Sequence, residues 1–196
     1  MHSALCRDPG KKHLITTAVE HSANLKYGQF LQSHGYDVTF RPVEEDGSID
    51  ICMLQDLIRP DTAMVSIMWA NNETGVVQDV GAIGEICSRK EVFFFCDGTQ
   101  AVGKIPVDPV AVGIHLMAFS AHKMYGPKGV GALFVRRKKP RVKVTAQTDG
   151  GGHERGMRSG TLNVTGIVGF GRAAELARKE MAADKERVLY LRDKLE

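Results

Sequence analysis

The sequence has little of what marks several common functions. It holds four cysteines, Cys6, Cys52, Cys87 and Cys96, with no Cys-x-x-Cys pair and no zinc-ligand spacing. A disulfide framework and a structural metal centre are thereby excluded as organising devices, and a reducing compartment is expected. Cys87 and Cys96 lie in apolar surroundings and read as small core residues. Neither sign of charge dominates: 26 basic residues face 23 acidic ones. That balance argues against nucleic acid and against an anionic membrane as partner. The one basic run, Arg136-Arg137-Lys138-Lys139, reads as a solvated strand end. No apolar run approaches the length needed to span a bilayer. The start lacks the apolar core of a secretory signal and carries Asp8 and Pro9. A Gly-x-Gly-x-x-Gly match is absent and residues 126–131 form no Walker loop, so a nucleotide-binding domain has no motif behind it.

What is present is an alternation. At 196 residues the chain is long enough for one domain with a real core. Residues 13–19 read as a strand ending at Glu20-His21, and 23–35 as a helix with Leu25, Phe30 and Leu31 on one side. A strand over 37–43, a turn at Glu45-Asp46-Gly47 and a short helix over 50–58, stopped by Pro60, come next. The dense apolar run 63–69 has the character of a parallel strand covered on both faces. A helix over 80–90 and strands over 92–96, 114–119 and 131–137 complete the pattern. It predicts an α/β domain with a mostly parallel sheet and helices on both faces. The last segment, 166–196, has helical periodicity through Ile167, Phe170, Ala174 and Ala177 and on to Leu195. The expected division is a cofactor-binding body over 1–165 and a long helix over 166–196 leading out of it.

Three successive buried strands end in polar clusters: Asn71-Asn72-Glu73, Asp97-Gly98-Thr99-Gln100 and Ser120-Ala121-His122-Lys123. In open α/β sheets ligands bind outside the carboxyl ends of the strands, so these clusters should share a cleft. His21, at the end of an earlier strand, is placed to join them. A desolvated lysine amine is nucleophilic near neutral pH and condenses with aldehydes. Pyridoxal phosphate requires such a lysine, together with an acid for its ring nitrogen. Lys123 suits the first role and Asp97 the second. Ser120 and His122 suit the phosphate, and Asn72 and Gln100 are amide donors for the ring's phenolate oxygen or a substrate carboxylate. Each also has a plainer reading: Asp97 as a turn or helix cap, Asn71-Asn72 as turn chemistry, His21 as a satisfied strand-end histidine. The glycine-rich stretch 150–161 adds Arg155, Arg158 and Thr161 as anion donors or else forms a surface hairpin.

These motifs resemble the cysteine desulfurases of the NifS/IscS type, in the class V aminotransferase-like branch of fold-type I pyridoxal phosphate enzymes. The resemblance runs from about Leu14 onward. It rests on Ala18-Val19-Glu20-His21, on 68–75, on 97–104, on His122-Lys123 with Gly126-Pro127-Lys128-Gly129, and on 150–161. It implies a fold-type I large domain, incomplete at both ends, with pyridoxal phosphate as cofactor. It implies Lys123 as the lysine that holds the cofactor, Asp97 at the ring nitrogen, and His21 stacked on the ring and moving protons. Asn72 and Gln100 would contact the phenolate oxygen, and Ser120 and His122 the phosphate. Thr161 would reach the phosphate of a second subunit, so a homodimer is implied. The implied activity converts L-cysteine to L-alanine and passes sulfur, through an enzyme persulfide, to an iron–sulfur scaffold or another acceptor. The family's reactive cysteine matches none of the four here, so the chain alone is expected to be inactive. Ala121 stands where the family usually has glycine. Selenocysteine lyase and an inactive module of iron–sulfur assembly are the competing readings. A cytoplasmic location is expected, or a mitochondrial one if a transit peptide preceded the chain.

Overall fold

The computed structural model describes residues 10–138 and 140–195. Cys6, the residues read as lacking a signal core and Lys139 of the basic run lie outside them. The elements are β1 (His13–Thr17), α1 (Ser22–Ser33), β2 (Asp37–Arg41), α2 (Ile51–Leu57), β3 (Thr62–Ser66), α3 (Val80–Arg89), β4 (Phe93–Asp97), β5 (Leu116–Ser120), β6 (Gly131–Val135) and α4 (Val164–Arg192). Short 3-10 turns cover Ala121–Met124 and Glu154–Gly156. The helices begin where side chains satisfy their free N–H groups. Asp50 Oδ1 accepts from the Cys52 and Met53 amides at 2.8 and 3.0 Å, and Asp79 Oδ1 from Ala82 at 3.0 Å. Asn163 Oδ1 caps α4 through the Gly166 amide at 3.0 Å.

The six strands form one sheet in the order β2-β1-β3-β4-β5-β6. All neighbours run parallel except β5 and β6. Alternate side chains feed two cores. Ile15, Val65, Ile67, Phe94, Cys96 and Met117 pack with Leu54 of α2 and Ile83 and Cys87 of α3. Leu14, Met64, Phe95 and Leu116 pack with Leu31 of α1 and with Val142. Helices therefore cover both faces, and every parallel strand delivers its carboxyl end to the same edge. One close approach fixes α3: a Cβ on Gly84 would lie 1.9 Å from the Val112 carbonyl oxygen, and the facing Gly113 has φ +74°.

β6 turns back on β5 because residues 121–130 are too short a connection for a parallel crossover. α4 crosses the Lys123 turn. Cβ atoms on Gly103 and Gly126 would stand 3.4 Å and 3.1 Å from those of Ala177 and Ala173. Phe119 and Phe170 meet edge to face at 5.9 Å. Beyond that contact α4 exposes Val188, Leu189, Tyr190 and Leu191, and Ile167 and Ala174 of the first half are exposed too, so the periodicity read as one apolar face is packed only around Phe170 and Ala177. No helix among the described residues is long and apolar enough to cross a membrane.

Candidate active site at the strand ends

The carboxyl ends of β1, β3, β4 and β5 are tied to one another by hydrogen bonds. After β1 the chain passes through Glu20 and His21 into α1. His21 Nδ1 accepts from the Ala23 amide at 3.3 Å, so this ring caps α1, and it is exposed. After β3, Asn71 is buried. It donates to the Val19 carbonyl at 2.9 Å and accepts from the Glu73 and Thr74 amides at 2.8 and 2.9 Å. That side chain locks the β3 loop onto the β1 loop and leaves Asn72 exposed beside it, its Nδ2 2.6 Å from Glu73 Oε1. The Trp69 amide donates to the Asp97 carbonyl at 2.9 Å, which carries β4 to the same edge.

Asp97 is half-buried at the last position of β4. Its Oδ1 accepts from the Thr99 amide at 2.9 Å, which is the turn-capping bond the plainer reading requires. Its Oδ2 lies 3.4 Å from Asn24 Nδ2. One carboxylate oxygen thus stiffens the side chain, and the other, at the end of a long contact, remains a competent acceptor. Gln100 follows in the next turn, its Oε1 accepting from the Lys104 ammonium. That contact fixes the amide with its NH2 as the free donor. Burial, and next the nearby Lys123 charge, lower the Lys104 amine from its ordinary value. A Cβ on Gly103 would lie 2.8 Å from Met124 Cε, so the turns holding Gln100 and Lys123 are packed together.

Lys123 sits in the 3-10 turn directly after β5 and is exposed. A nucleophilic amine of the kind expected from the sequence needs desolvating walls; among the described residues nothing covers the outward side of Lys123. Ser120 Oγ is 2.7 Å from His122 Nδ1. With the hydroxyl donating, the imidazole keeps its N–H on Nε2, available to an anion. Ala121 is buried and is not among the residues with positive φ, so alanine fits where glycine was expected. The left-handed position falls at Tyr125 instead, with φ 63°. Thr161 is exposed, two residues before the α4 cap. Its carbonyl accepts from Arg158 Nη1 at 3.2 Å, and no described contact ties it to the Lys123 turn.

The structure therefore brings Asp97, Gln100, Ser120, His122 and Lys123 onto adjoining turns, with His21 and Asn72 on the bonded neighbouring loops. This donor set fits pyridoxal phosphate: an amine and an acid after adjacent strands, amide donors, and hydroxyl and imidazole for a phosphate. The site opens to solvent. A cavity of about 760 Å³ lies elsewhere, between β6, residues 144–148 and the start of α4. Among the described residues no cluster of His, Cys, Asp or Glu is placed to hold a metal ion.

None of the described cysteines is placed as a nucleophile here. Cys52 is exposed on α2, on a covering layer. Burial pushes the Cys87 thiol up to about 12. Burial, with the Glu20 and Asp97 charges, raises the Cys96 thiol well above its ordinary range.

The residue that sequence reasoning passed over is Glu20. It is 4% exposed. Its Oε1 accepts from the Met68 amide at 2.7 Å and the Thr17 hydroxyl at 3.2 Å, and its Oε2 accepts from Asn24 at 3.1 Å. Burial, opposed by these bonds and aided by the Asp97 charge, raises its carboxyl to about 7. No local pattern marks it: Glu20 precedes the His21 cap of α1, outside the helix-face spacing that would have tied it to Asn24.

A parallel α/β sheet with an amine and an acid on adjacent strand-end turns defines a class of cofactor-dependent enzyme domain. The chain belongs to the class-V aminotransferase family, whose model matches residues 3–196. It is similar to the cysteine desulfurase IscS of Anaeromyxobacter sp. (strain Fw109-5), 58% identical over 184 residues, which cover 94% of this chain and 45% of that protein. The cysteine desulfurase IscS of Pectobacterium atrosepticum is 52% identical over the same shares. A solved NifS-like protein superposes with a TM-score of 0.94 at 38% identity, over 99% of this chain and 53% of its own. SspA, solved in complex with cysteine, gives 0.80 at 38% identity, over 84% of this chain and 47% of its own. The chain spans about half the length of the curated relatives it matches. The homologues are pyridoxal-phosphate-dependent enzymes.

Proposed function

We propose that this chain is the cofactor-holding part of a pyridoxal-phosphate-dependent cysteine desulfurase, acting on L-cysteine. The observation that carries the reading is the juxtaposition of the Asp97 and Lys123 turns after adjacent parallel strands, packed through Gly103 and Met124. When bound, pyridoxal phosphate supplies an electron sink. The chain's own residues do the rest. Lys123 would offer the amine that holds the cofactor aldehyde. Asp97, oriented by the Thr99 amide, would pair with the ring nitrogen. Gln100 and Asn72 present amide donors to the phenolate oxygen, Asn72 also near the substrate carboxylate. His122 would present its Nε2–H to the phosphate, and Ser120 would serve the same anion by swinging its O–H from Nδ1. His21 is anchored through Nδ1, which would leave Nε2 to carry a proton at the site.

The thiol that takes the sulfur is not one of the described cysteines, so we place it elsewhere in the protein, with an iron–sulfur scaffold or similar acceptor beyond it. We also propose self-association, which would let the exposed Thr161 serve a second subunit. Borohydride reduction of the purified protein with pyridoxal phosphate, followed by peptide mapping, tests the reading. The label belongs on Lys123 and disappears in Lys123→Ala; a label on another lysine, or none, defeats it. Turnover of cysteine against selenocysteine separates a desulfurase from a selenocysteine lyase.

A further inference from the structure

Glu20 holds a buried carboxyl that the proposed chemistry does not use. Its placement is not that of a simple space filler. One oxygen is saturated by the Met68 amide and the Thr17 hydroxyl. The other faces Asn24 Nδ2 at 3.1 Å, and the same nitrogen lies 3.4 Å from Asp97 Oδ2. An amide NH2 carries two hydrogens, and here one is directed to each carboxylate. Asn24 is thus a bridge between an acid at the strand-end site and an acid enclosed behind it.

We infer that Glu20 and Asn24 are positioning residues: through the bridging amide they form a second acidic layer behind Asp97 that sets how firmly Asp97 holds a pyridinium nitrogen. The inference rests on the reading of Asp97 given above. Glu20 is enclosed, whereas Asp97 is half-exposed and held by the Thr99 amide, so Glu20 is the member disposed to take up a proton. The groups facing Glu20 are Thr17 from β1, the Met68 amide after β3, Asn24 from α1, and Cys96 and Asp97 from β4. The Cys96 thiol is neutral, which leaves Asp97 as the charged neighbour. With Glu20 protonated one negative charge lies behind the ring nitrogen; with Glu20 ionised there are two, and the attraction for a pyridinium is stronger.

The test compares the purified protein with its Glu20→Gln and Asn24→Leu variants, each titrated with pyridoxal phosphate from pH 6 to pH 8.5. Absorbance and fluorescence give the affinity and the spectral state of the bound cofactor. The parent should show a spectral transition near pH 7 that Glu20→Gln lacks. The two should bind equally at pH 6 and differ by roughly tenfold at pH 8.5, the equivalent of one pKa unit. A loss of affinity in Glu20→Gln that is the same at every pH would mark Glu20 as merely structural and overturn the inference. Should Glu20→Gln fail to fold, Asn24→Leu decides: the transition should shift or shrink, and an unchanged one overturns the inference. Lys123 trapping in the parent separates the two levels. If Lys123 is labelled while both variants titrate like the parent, only the second acidic layer is wrong. If Lys123 is not labelled, the functional reading falls and the layer with it.

Discussion

His115 offers a direct measurement of how the sheet is held together where β5 begins. It is 3% exposed and stands one residue before β5. Its backbone N–H donates to the Phe94 carbonyl at 3.0 Å, and its ring Nδ1 accepts from the Phe94 amide, also at 3.0 Å. The side chain thereby supplies the acceptor that a strand would otherwise provide. Nδ1 must be unprotonated to do this, and burial, with the Arg136 charge second, lowers the ring to about 4. His115→Leu strands the Phe94 N–H in the core, at a cost of about 1–3 kcal/mol. His115→Asn puts an oxygen near the former Nδ1 and should recover most of that loss. Acid discriminates further. Between pH 6.5 and 4 the unfolded ring takes up a proton that the native ring refuses, so native stability falls as pH falls. The limit is about 1.4 kcal/mol per pH unit. Discounted for partial solvent screening, the total is about 2 kcal/mol. Urea unfolding at pH 7.5 and 4.5, followed through the single tryptophan, Trp69, measures both effects. The gap between parent and His115→Leu should narrow by about 1–2 kcal/mol in acid. His13, also lowered by burial, leaves a residual slope in every variant. A gap that is constant or wider at pH 4.5 refutes the argument.

Two further outcomes are expected. Gly84→Ala drives a methyl to 1.9 Å from the Val112 oxygen, a backbone atom with no room to yield. The loss should be roughly 3 kcal/mol, seen as a fall in Tm of about 6–12 °C, and an unchanged Tm would contradict it. Asn71→Ala removes the Val19 tie and both turn bonds of the β3 loop. Pyridoxal phosphate affinity should drop about tenfold or more, since about 2 kcal/mol of ordering at the site is lost; affinity within twofold of the parent would show that the loop holds its place without it.

Most of the sheet was legible because its strands are short apolar runs that each stop in polar residues, as at Trp69-Ala70-Asn71 and Cys96-Asp97. Buried parallel strands need exactly that contrast between interior and rim. The direction of β6 was also within reach: the connection over 121–130 contains no helix to carry a crossover. Two features were not legible. Exposure of Lys123 depends on what stands opposite its turn, which no local pattern encodes. Burial of Glu20 depends on α1 tilting Asn24 over the β1 loop, and in sequence a lone acid beside a histidine looks like ordinary loop polarity. The second half of α4 taught the reverse lesson: Val188, Leu189 and Leu191 have the spacing of a packed face and yet lie open.

The lysine turn is the tip of a hairpin whose neck is closed by the Ser120–Gly131 pair and by the Ala121 amide bonding to the Val130 carbonyl at 3.1 Å. Among the described residues β6 is gripped by the sheet along one side only. The amine of residue 123 is therefore steadied from β5, from α4 at Gly126 and from the neighbouring turn at Met124, and β6 is the least braced of its supports. Whatever zips onto the outer flank of β6 would stiffen that weakest side without touching the reacting group.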